Sequence, residues 1–141
     1  MITEIKTLIL REGTPGKPLL SAREVASEFD AIRYEPQECF YVIHLDAKNR
    51  TISQELVSKG TATATLCHPR DIFRSAISRN AVSIIVIHNH PSGNTEPSTQ
   101  DIKITRDIIK AGDIIGIKVL DHLILGDTAY SMREAGYFEA E

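Results

Sequence analysis

The chain has 141 residues, which is the size of one ordinary domain and too short for two. Hydrophobic residues make up 42% of it and charged residues 25%, a balance that is typical of folded globular proteins and excludes an intrinsically disordered chain. The net charge of -3 leaves no overall excess of Lys and Arg, so the composition does not support binding of nucleic acid, although it does not exclude it.

The N-terminal stretch MITEIKTLIL contains an acidic residue, and its apolar run is too short for a signal peptide. No later apolar run approaches the length of a membrane-spanning helix. These features predict a cytoplasmic protein without a membrane segment. In that compartment Cys39 and Cys67 are expected to be reduced thiols rather than a disulfide.

The N-terminal part of the chain predicts one short helix. Residues 11–18 are rich in turn formers, and the stretch Ser21–Glu24 is a capping box that opens a helix through about Phe29. We expect residues 1–37 to form a segment that packs on a domain made of residues 38–141.

A hairpin is predicted next. Glu38–Asp46 has the aromatic and β-branched residues of a strand, and a turn at Asp46–Asn49 leads into a second strand at Thr51–Val57. Lys59-Gly60 is expected to end the hairpin, and a further strand is expected at Thr61–Leu66.

The middle of the chain predicts a helix and then a central strand. Pro69 is well placed as the first residue of a helix that runs to about Arg79. The continuous apolar run AVSIIVI, residues 81–87, is typical of a strand that is covered on both faces. This strand leads directly to His88.

The C-terminal part predicts one more helix, followed by strands. Isoleucines at helical spacing favour a helix from Ser98 to about Ala111, and Gly112 is expected to end it. The strands expected after it are Ile114–Leu120, His122–Leu125 and, beyond a turn at Gly126–Asp127, Tyr130–Met132. The alternation of strands and helices predicts a single layered α/β domain.

Two histidines follow the predicted central strand. His88 and His90 stand two positions apart, and in an extended chain that spacing points both imidazoles to the same side. The turn-rich loop after them leads to a helix start, which returns the carboxylate of Asp101 toward the histidines. Two imidazoles and one carboxylate form a three-ligand set for zinc, and the fourth tetrahedral position is then open to water, as in catalytic zinc sites.

Each of these residues also has a plainer interpretation. The histidines can be two polar residues of a loop. Ser98 and Asp101 also form the pattern of a helix start, in which Ser98 caps the helix and the acid interacts favourably with the helix dipole. The two interpretations of Asp101 are compatible, because a helix start fixes the position of an acid without preventing it from binding a metal.

Metal-assisted hydrolysis also needs a carboxylate that does not bind the metal and can take and return a proton. Glu38, at the start of a predicted buried strand, is our candidate for this general base. Its plainer interpretation is an acid at the edge of a strand, because nothing in the local sequence ties it to His88.

Together these residues resemble the JAMM (MPN+) metalloprotease motif. Its elements in this chain are His88-x-His90, Asp101, Ser98 three positions before that acid, and Glu38 on an upstream strand. The blocks HNHPSG, PSTQD, ECFYVIHLDAKNR, HPRDIFRSAI and LDHLILG are similar to those of the RadC-like branch of that family. The similarity covers roughly residues 38–136.

The resemblance implies a role for each residue of the motif and a fold for the domain. His88, His90 and Asp101 would bind zinc. Glu38 would act as general acid and base, and Ser98 would support the oxyanion. The fold would be the cytidine-deaminase-like one of JAB1/MPN domains, a single-domain three-layer α/β/α arrangement with a mixed central sheet.

Two features depart from the wider family. Asn89 stands where eukaryotic deubiquitinating members usually carry Ser or Thr, so ubiquitin-like substrates are not implied. Longer RadC-like proteins carry an N-terminal helix-hairpin-helix region, which we do not expect in this chain. On that expectation, the DNA-repair description of that family lacks in this chain the part best suited to bind DNA.

Other polar residues have less specific interpretations. His44 is expected to be a packed or edge histidine of a strand, and His68 to precede a helix, with a supporting role near the site left open. His122 is predicted to support a metal-bound imidazole by a hydrogen bond, the alternative being an ordinary strand residue. Arg70 and Arg74 lie one helical turn apart and favour a solvated face, with contact to an anion or nucleic acid as the alternative.

These observations predict a zinc-dependent hydrolase of the JAMM metallopeptidase type, which cleaves a peptide or isopeptide amide in a protein substrate with metal-activated water. The alternative is a DNA-associated repair accessory or a metal-dependent nuclease, against which the net acidity weighs. A zinc deaminase is disfavoured because the His-x-Glu and Pro-Cys-x-x-Cys elements are missing from the sequence. The remaining alternative is an inactive homologue of these enzymes, although every position of the motif is present.

Overall fold

The computed structural model describes residues 7–9, 22–60 and 68–139. The helices and strands are, in chain order, β1 (Thr7–Ile9), α1 (Ala22–Glu28), β2 (Glu38–Leu45), β3 (Thr51–Gly60), α2 (Pro69–Ser78), β4 (Ser83–Asn89), α3 (Thr99–Ile115), β5 (Lys118–Leu125) and β6 (Ala129–Ser131). A short 3-10 helix, Asp30–Tyr34, lies between α1 and β2.

The strands of the described residues form one six-stranded sheet in the order β1-β3-β2-β4-β5-β6. β4 and β5 are parallel and the other neighbours are antiparallel, which confirms the predicted mixed sheet. Every residue of β4 is buried, as expected for an apolar strand that is covered on both faces. The end of this strand therefore delivers His88 into the interior of the protein.

Helices cover both faces of the sheet. On one side, which we call the α2/α3 face, Ile72, Phe73 and Ile108 pack against side chains of the sheet. On the other side, which we call the α1 face, Val25 and Phe29 do the same. These two cores confirm the predicted three-layer α/β/α architecture.

The hairpin of β2 and β3 is confirmed, and so is the helix that begins at Pro69. The second strand, predicted as Thr51–Val57, runs three residues further, to Gly60. Pairing with β2 keeps β3 extended as far as Gly60, which lies opposite Glu38.

The predicted end of α3 is also wrong. Gly112 lies buried inside the helix, which runs to Ile115 and ends at Gly116. Gly116 has a φ of 89°, the left-handed conformation that glycine adopts at helix ends. A Cβ at position 112 would lie 2.5 Å from the carbonyl oxygen of Ile117, so Gly112 permits close packing and does not stop the helix.

β5 is one strand where two were predicted. Residues 114 and 115, expected to start a strand, are the last two of α3, and the strand begins at Lys118. The expected break between Leu120 and His122 does not occur, because β5 pairs with β4 on both sides of it.

A bulge in β5 decides where His122 points. Val119 and Asp121 pair with consecutive residues of β4, so Leu120 is an extra residue in the strand. Residues three apart point to opposite faces of a regular strand, and the bulge reverses that outcome. Val119 and His122 therefore both lie on the α2/α3 face, where His122 contacts Thr105 of α3.

Some expectations fall outside the described residues: the turn-rich stretch 11–18, Ser21 of the capping box, and the strand at 61–66. Cys67 lies outside them as well. Cys39 is buried and forms no disulfide within the described part of the chain. Because Cys67 is not described, the reduced state of the two cysteines stays a prediction. None of the helices in the described ranges is long and apolar enough to cross a membrane.

Candidate metal centre

Two imidazoles project together from the end of β4. Strand alternation puts His88 and His90 on the α2/α3 face, with Asn89 between them on the other face. The backbone N–H of His90 donates to the carbonyl of Leu125 at 2.8 Å, so pairing with β5 continues past the end of β4. The two Nε2 atoms lie 3.0 Å apart, and the His88 ring stacks on Phe40 with centroids 5.7 Å apart.

The carboxylate of Asp101 completes a group of three side chains. Its Oδ1 lies 3.2 Å from Nε2 of His88, and its Oδ2 lies 3.1 Å from Nε2 of His90. In a tetrahedral zinc site with Zn–N distances of about 2.0 to 2.1 Å, neighbouring ligand atoms are about 3.3 Å apart. The three side chains therefore have the spacing that one small cation requires.

The start of α3 holds Asp101 in place. The Oγ of Ser98 accepts a hydrogen bond from the backbone N–H of Asp101 at 3.0 Å, and Oδ2 of Asp101 accepts one from the backbone N–H of Ser98 at 2.8 Å. This is a reciprocal capping box, so the helix-start interpretation is confirmed while the same carboxylate faces the histidines. The oxygen of Ser98 is an acceptor in this cap, and its O–H hydrogen is not used by it.

Glu38 approaches the same point from the first residue of β2. Its Oε1 lies 3.9 Å from Nε2 of His90, and the ligand atoms of Glu38, His88 and His90 all lie within 4.8 Å of one another. Glu38, His88 and His90 therefore form a group that can hold a metal ion. Asp101 is not one of these three, but its contacts to the imidazoles are shorter than that of Glu38. The division of roles between the two carboxylates stays a prediction.

Asn89 fixes the backbone on both sides of Glu38. Its Oδ1 accepts a hydrogen bond from the backbone N–H of Cys39 at 2.6 Å, and its Nδ2 donates to the carbonyls of Glu35 at 3.3 Å and Gln37 at 3.1 Å. The amide thus ties the start of β2 to the strand that bears the histidines. The sequence pattern did not reveal this role, because the partners of Asn89 are backbone groups about fifty positions away.

The outer nitrogens of both imidazoles have partners. Nδ1 of His90 donates to the carbonyl of Asn94 at 2.8 Å, which leaves a lone pair on Nε2 when the ring is neutral. Nδ1 of His88 lies 2.8 Å from Nε2 of His122, the residue that we expected to support a metal-bound imidazole. The inner side thus presents imidazole nitrogens and carboxylate oxygens, which are electron-pair donors of the kind zinc binds, and the residues present fit this metal.

The charges in the site favour a cation at its centre. Burial opposes ionisation of Asp101, but the contacts from His88 and His90 hold its pKa well below the usual range. Burial likewise opposes charge on His90, yet hydrogen bonds to Asp101 and to the Asn94 carbonyl raise its pKa. Burial raises the pKa of Glu38 against the influence of the two imidazoles. Positive charge is therefore stabilised between the side chains, while Glu38 holds a proton more readily than an exposed glutamate.

A cavity of about 270 Å³ opens onto this group. Its walls include Glu38, His90 and Asp101 together with Ser92, Ser98 and Gln100. This volume suits one side chain or a short stretch of polypeptide better than a large ligand.

A larger groove of about 940 Å³ lies between α3 and the C-terminal residues. It is lined by basic side chains, which are Arg106, Lys110, Lys118 and Arg133, and by the acids Asp113 and Glu139. It contains none of the histidines or carboxylates described above, so size alone does not locate the metal centre.

His44 is packed in the interior, as one of its two interpretations predicted. It is fully buried, with Nδ1 at 2.7 Å from the Oγ of Ser53 and Nε2 at 2.6 Å from the Oγ of Ser75. Burial lowers its pKa to about 4, so the ring is neutral at physiological pH. This histidine takes no part in the metal centre.

The polar residues predicted near α2 lie on its surface. His68 precedes the helix, is exposed, and makes no side-chain capping bond. Arg70 and Arg74 are both exposed, and Arg74 pairs with Asp71 at 3.3 Å. These positions agree with the plainer interpretation of a solvated helix face.

Residues 19–137 match a family model described as RadC-like JAB domain. The chain belongs to this family. The matched part of the RadC-like JAB domain includes every residue of the candidate metal centre, from Glu38 to His122, and helices on both faces of the sheet.

This RadC-like JAB domain is similar to UPF0758 proteins of several organisms. It is 45% identical over 113 residues to a UPF0758 protein of Caldanaerobacter subterraneus, which covers 79% of the chain and 48% of the relative. It is 38% identical over 125 residues to a UPF0758 protein of Methanosarcina acetivorans, with 87% and 55% covered, and 39% identical over 137 residues to one of Geobacillus, with 95% and 61% covered. The chain spans about half the length of the curated relatives it matches, and their names state no activity.

Proposed function

We propose that this RadC-like JAB domain is a zinc-dependent hydrolase of the JAMM metallopeptidase type, which cleaves a peptide or isopeptide amide in a protein substrate. The main support is the convergence of Nε2 of His88, Nε2 of His90 and the Asp101 carboxylate at separations of 3.0 to 3.2 Å. We place this activity in the cytoplasm, where a buried thiol such as that of Cys39 stays reduced.

In this proposal His88, His90 and Asp101 hold the metal. Asp101 is preferred to Glu38 as the third ligand because its oxygens lie at 3.1 and 3.2 Å from the two imidazoles, whereas Glu38 comes no closer to His90 than 3.9 Å. When bound, zinc would supply a Lewis acid that polarises the scissile carbonyl and lowers the pKa of a water molecule.

Glu38 handles the proton in this proposal. A carboxylate whose pKa is raised by burial is suited to take a proton from the attacking water and deliver it to the leaving amine nitrogen. As the new C–O bond forms, negative charge develops on the carbonyl oxygen, and it is lost again when the C–N bond breaks and the protonated amine leaves. Ser98 lies in the same cavity wall, and its O–H hydrogen is available to donate to that oxygen.

The first test combines metal analysis with a search for the substrate. Protein purified in metal-free buffers and reloaded with zinc is expected to contain about one zinc per chain. This protein and its Glu38→Gln variant are then incubated in parallel with a cell lysate, which is analysed by N-terminal and isopeptide proteomics. New amine ends produced only by the wild type are expected, and their absence from both samples would contradict the peptidase proposal.

The same pair of proteins tests the alternative function on single- and double-stranded DNA. Cleavage of DNA that depends on Glu38, or binding that weakens with salt as several phosphate contacts require, would replace the peptidase proposal by a nucleic-acid function. Binding of that kind would be mapped with Lys110→Ala and Lys118→Ala in the larger groove. We expect an amide substrate, because many phosphodiesterases use two metals about 3.5 to 4 Å apart and the described residues contain one ligand group.

A further inference from the structure

His88 can bind a metal only through a lone pair on Nε2, because its Nδ1 points away from the other ligands toward His122. A neutral imidazole has one N–H, so Nε2 is free for a metal only if the hydrogen is on Nδ1. The position of that hydrogen depends on what Nδ1 meets. Its partner, at 2.8 Å, is Nε2 of His122, another nitrogen that can donate or accept.

Thr105 of α3 determines which histidine is the donor in this contact. Its Oγ1 lies 2.6 Å from Nδ1 of His122 and 2.7 Å from the carbonyl oxygen of Asp101. A carbonyl oxygen only accepts, and a separation of 2.7 Å between two oxygens is that of an O–H···O hydrogen bond, so the single hydroxyl hydrogen lies there. The sulfur of Met132, at 3.4 Å from the hydroxyl, is a further acceptor and supplies no hydrogen. The hydrogen in the contact with Nδ1 must therefore come from His122.

We infer that Thr105 is a positioning residue for the metal centre: it accepts the hydrogen of His122 Nδ1, which leaves His122 Nε2 to accept from His88 Nδ1 and so frees Nε2 of His88 as a ligand. The inference rests on the proposed function for the metal itself. The direction of the hydrogen bonds is a property of the protein without metal and is measurable there.

The protein interior shields the hydrogen bonds from Thr105 through His122 to His88 from water. His122 is fully buried and Thr105 is 1% exposed, so bulk water does not compete for either group. Because His122 is fully buried, the neutral ring with one N–H is the favoured form. If the hydrogen bonds had the opposite direction, Thr105 would donate to Nδ1 of His122, and Nε2 of His122 would donate to Nδ1 of His88. His88 would then carry its hydrogen on Nε2, which faces Asp101 and His90. A metal could not bind that nitrogen.

The decisive variant is Thr105→Val, which keeps the shape of the side chain and removes the hydroxyl. We expect its affinity for zinc, measured by competition with a chromophoric chelator, to fall by about 10- to 100-fold, as when a hydrogen-bond partner of a metal-bound histidine is lost. Thr105→Ser keeps the hydroxyl and is expected to stay within about threefold of the wild type. Ser75→Ala removes a hydroxyl from the buried His44 and is the matched control, with unchanged zinc affinity.

The second measurement is the hydrogen position itself, from the ¹⁵N signals of the imidazoles in metal-free protein. We expect Nδ1–H on both His88 and His122 in the wild type, and a share of Nε2–H on His88 in Thr105→Val. Wild-type His122 with its hydrogen on Nε2 would overturn the inference even if the valine variant failed to fold. Equal zinc affinity of the valine variant and the wild type would overturn it as well. A zinc-loaded protein that cleaves no amide would contradict the proposed function and leave both of these results standing.

Discussion

Two histidines lie buried on the same face of the sheet and differ in what surrounds them. His44 is 0% exposed and His88 is 1% exposed, and they stand on neighbouring strands, β2 and β4. Both nitrogens of His44 meet hydroxyl groups, those of Ser53 and Ser75. A hydroxyl can donate or accept, so this histidine is satisfied in either tautomer and ties β2 to β3 and α2.

His88 has a different set of partners. Its outer nitrogen meets His122, but its inner nitrogen meets the Nε2 of His90 and the carboxylate of Asp101. Around His44 the hydrogen bonds are complete without any added group, whereas around His88 several electron-pair donors share one point and favour a cation. Burial alone therefore does not distinguish a functional histidine from a structural one, and the chemistry of its partners does.

Removal of one histidine from each network should give the largest difference between them. His90→Ala should lose the metal, because two protein ligands do not hold zinc as three do, and elemental analysis should show a fall from about one zinc per chain to a small fraction. His44→Gln should keep full zinc content and lose only stability. A His90→Ala protein with undiminished zinc would show that the ligand assignment is wrong.

The serines beside each network provide a second contrast. Ser98→Ala should keep zinc and reduce turnover by up to about 10²- to 10³-fold, because the donor to the developing oxyanion is lost. Ser75→Ala should leave turnover unchanged and cost about 1 to 3 kcal/mol in the free energy of unfolding, because a buried nitrogen of His44 loses its partner. Turnover is measured on the substrate found by proteomics, and stability by urea unfolding. If Ser98→Ala changed only stability, by about 1 kcal/mol, Ser98 would be a helix cap and nothing more.

A third contrast is a dependence of stability on pH that belongs to His44. Burial is the main cause of its low pKa of about 4, Arg79 acts in the same direction and Glu55 opposes it. Because the unfolded chain titrates near 6.5, it binds more protons than the folded chain between these values, so this contribution is complete above pH 6.5 and is lost as the pH falls toward 4. The loss is at most roughly 3 kcal/mol.

Urea unfolding at pH 7.5 and pH 4.5 measures this loss, with His44→Gln as the control. The variant should lose less stability over the same interval, because glutamine does not titrate. An equal loss in both proteins would show that other groups, such as His122, account for the whole dependence.

The sequence predicts much of the geometry of the candidate metal centre because its parts are local. Two residues at spacing two share one face of a strand, and that alone brings His88 and His90 together. The pattern Ser98-x-x-Asp101 predicts a helix start, and the capping box then fixes the carboxylate. Glu38 could be connected to them only through the family resemblance, since its position depends on the pairing of β2 with β4.

Other features depend on contacts between distant segments and leave no local pattern. The bulge at Leu120 exists only in the pairing of β5 with β4, so the direction of His122 could not be predicted from alternation. Gly112 gave a false helix end for a related reason: its lack of a side chain serves packing against Ile117, and the left-handed residue that ends the helix is Gly116.

The capping box at the start of α3 has a consequence for the evolution of this family. One carboxylate, that of Asp101, begins the helix and also supplies negative charge to the histidines. Asparagine in its place would still accept the hydrogen bond from the backbone N–H of Ser98, at little cost to the helix, and would carry no charge. Under the proposed function, a single base change in an Asp codon would therefore remove a charged metal ligand and leave the helix start intact, so inactive descendants with the same fold should arise easily in this architecture.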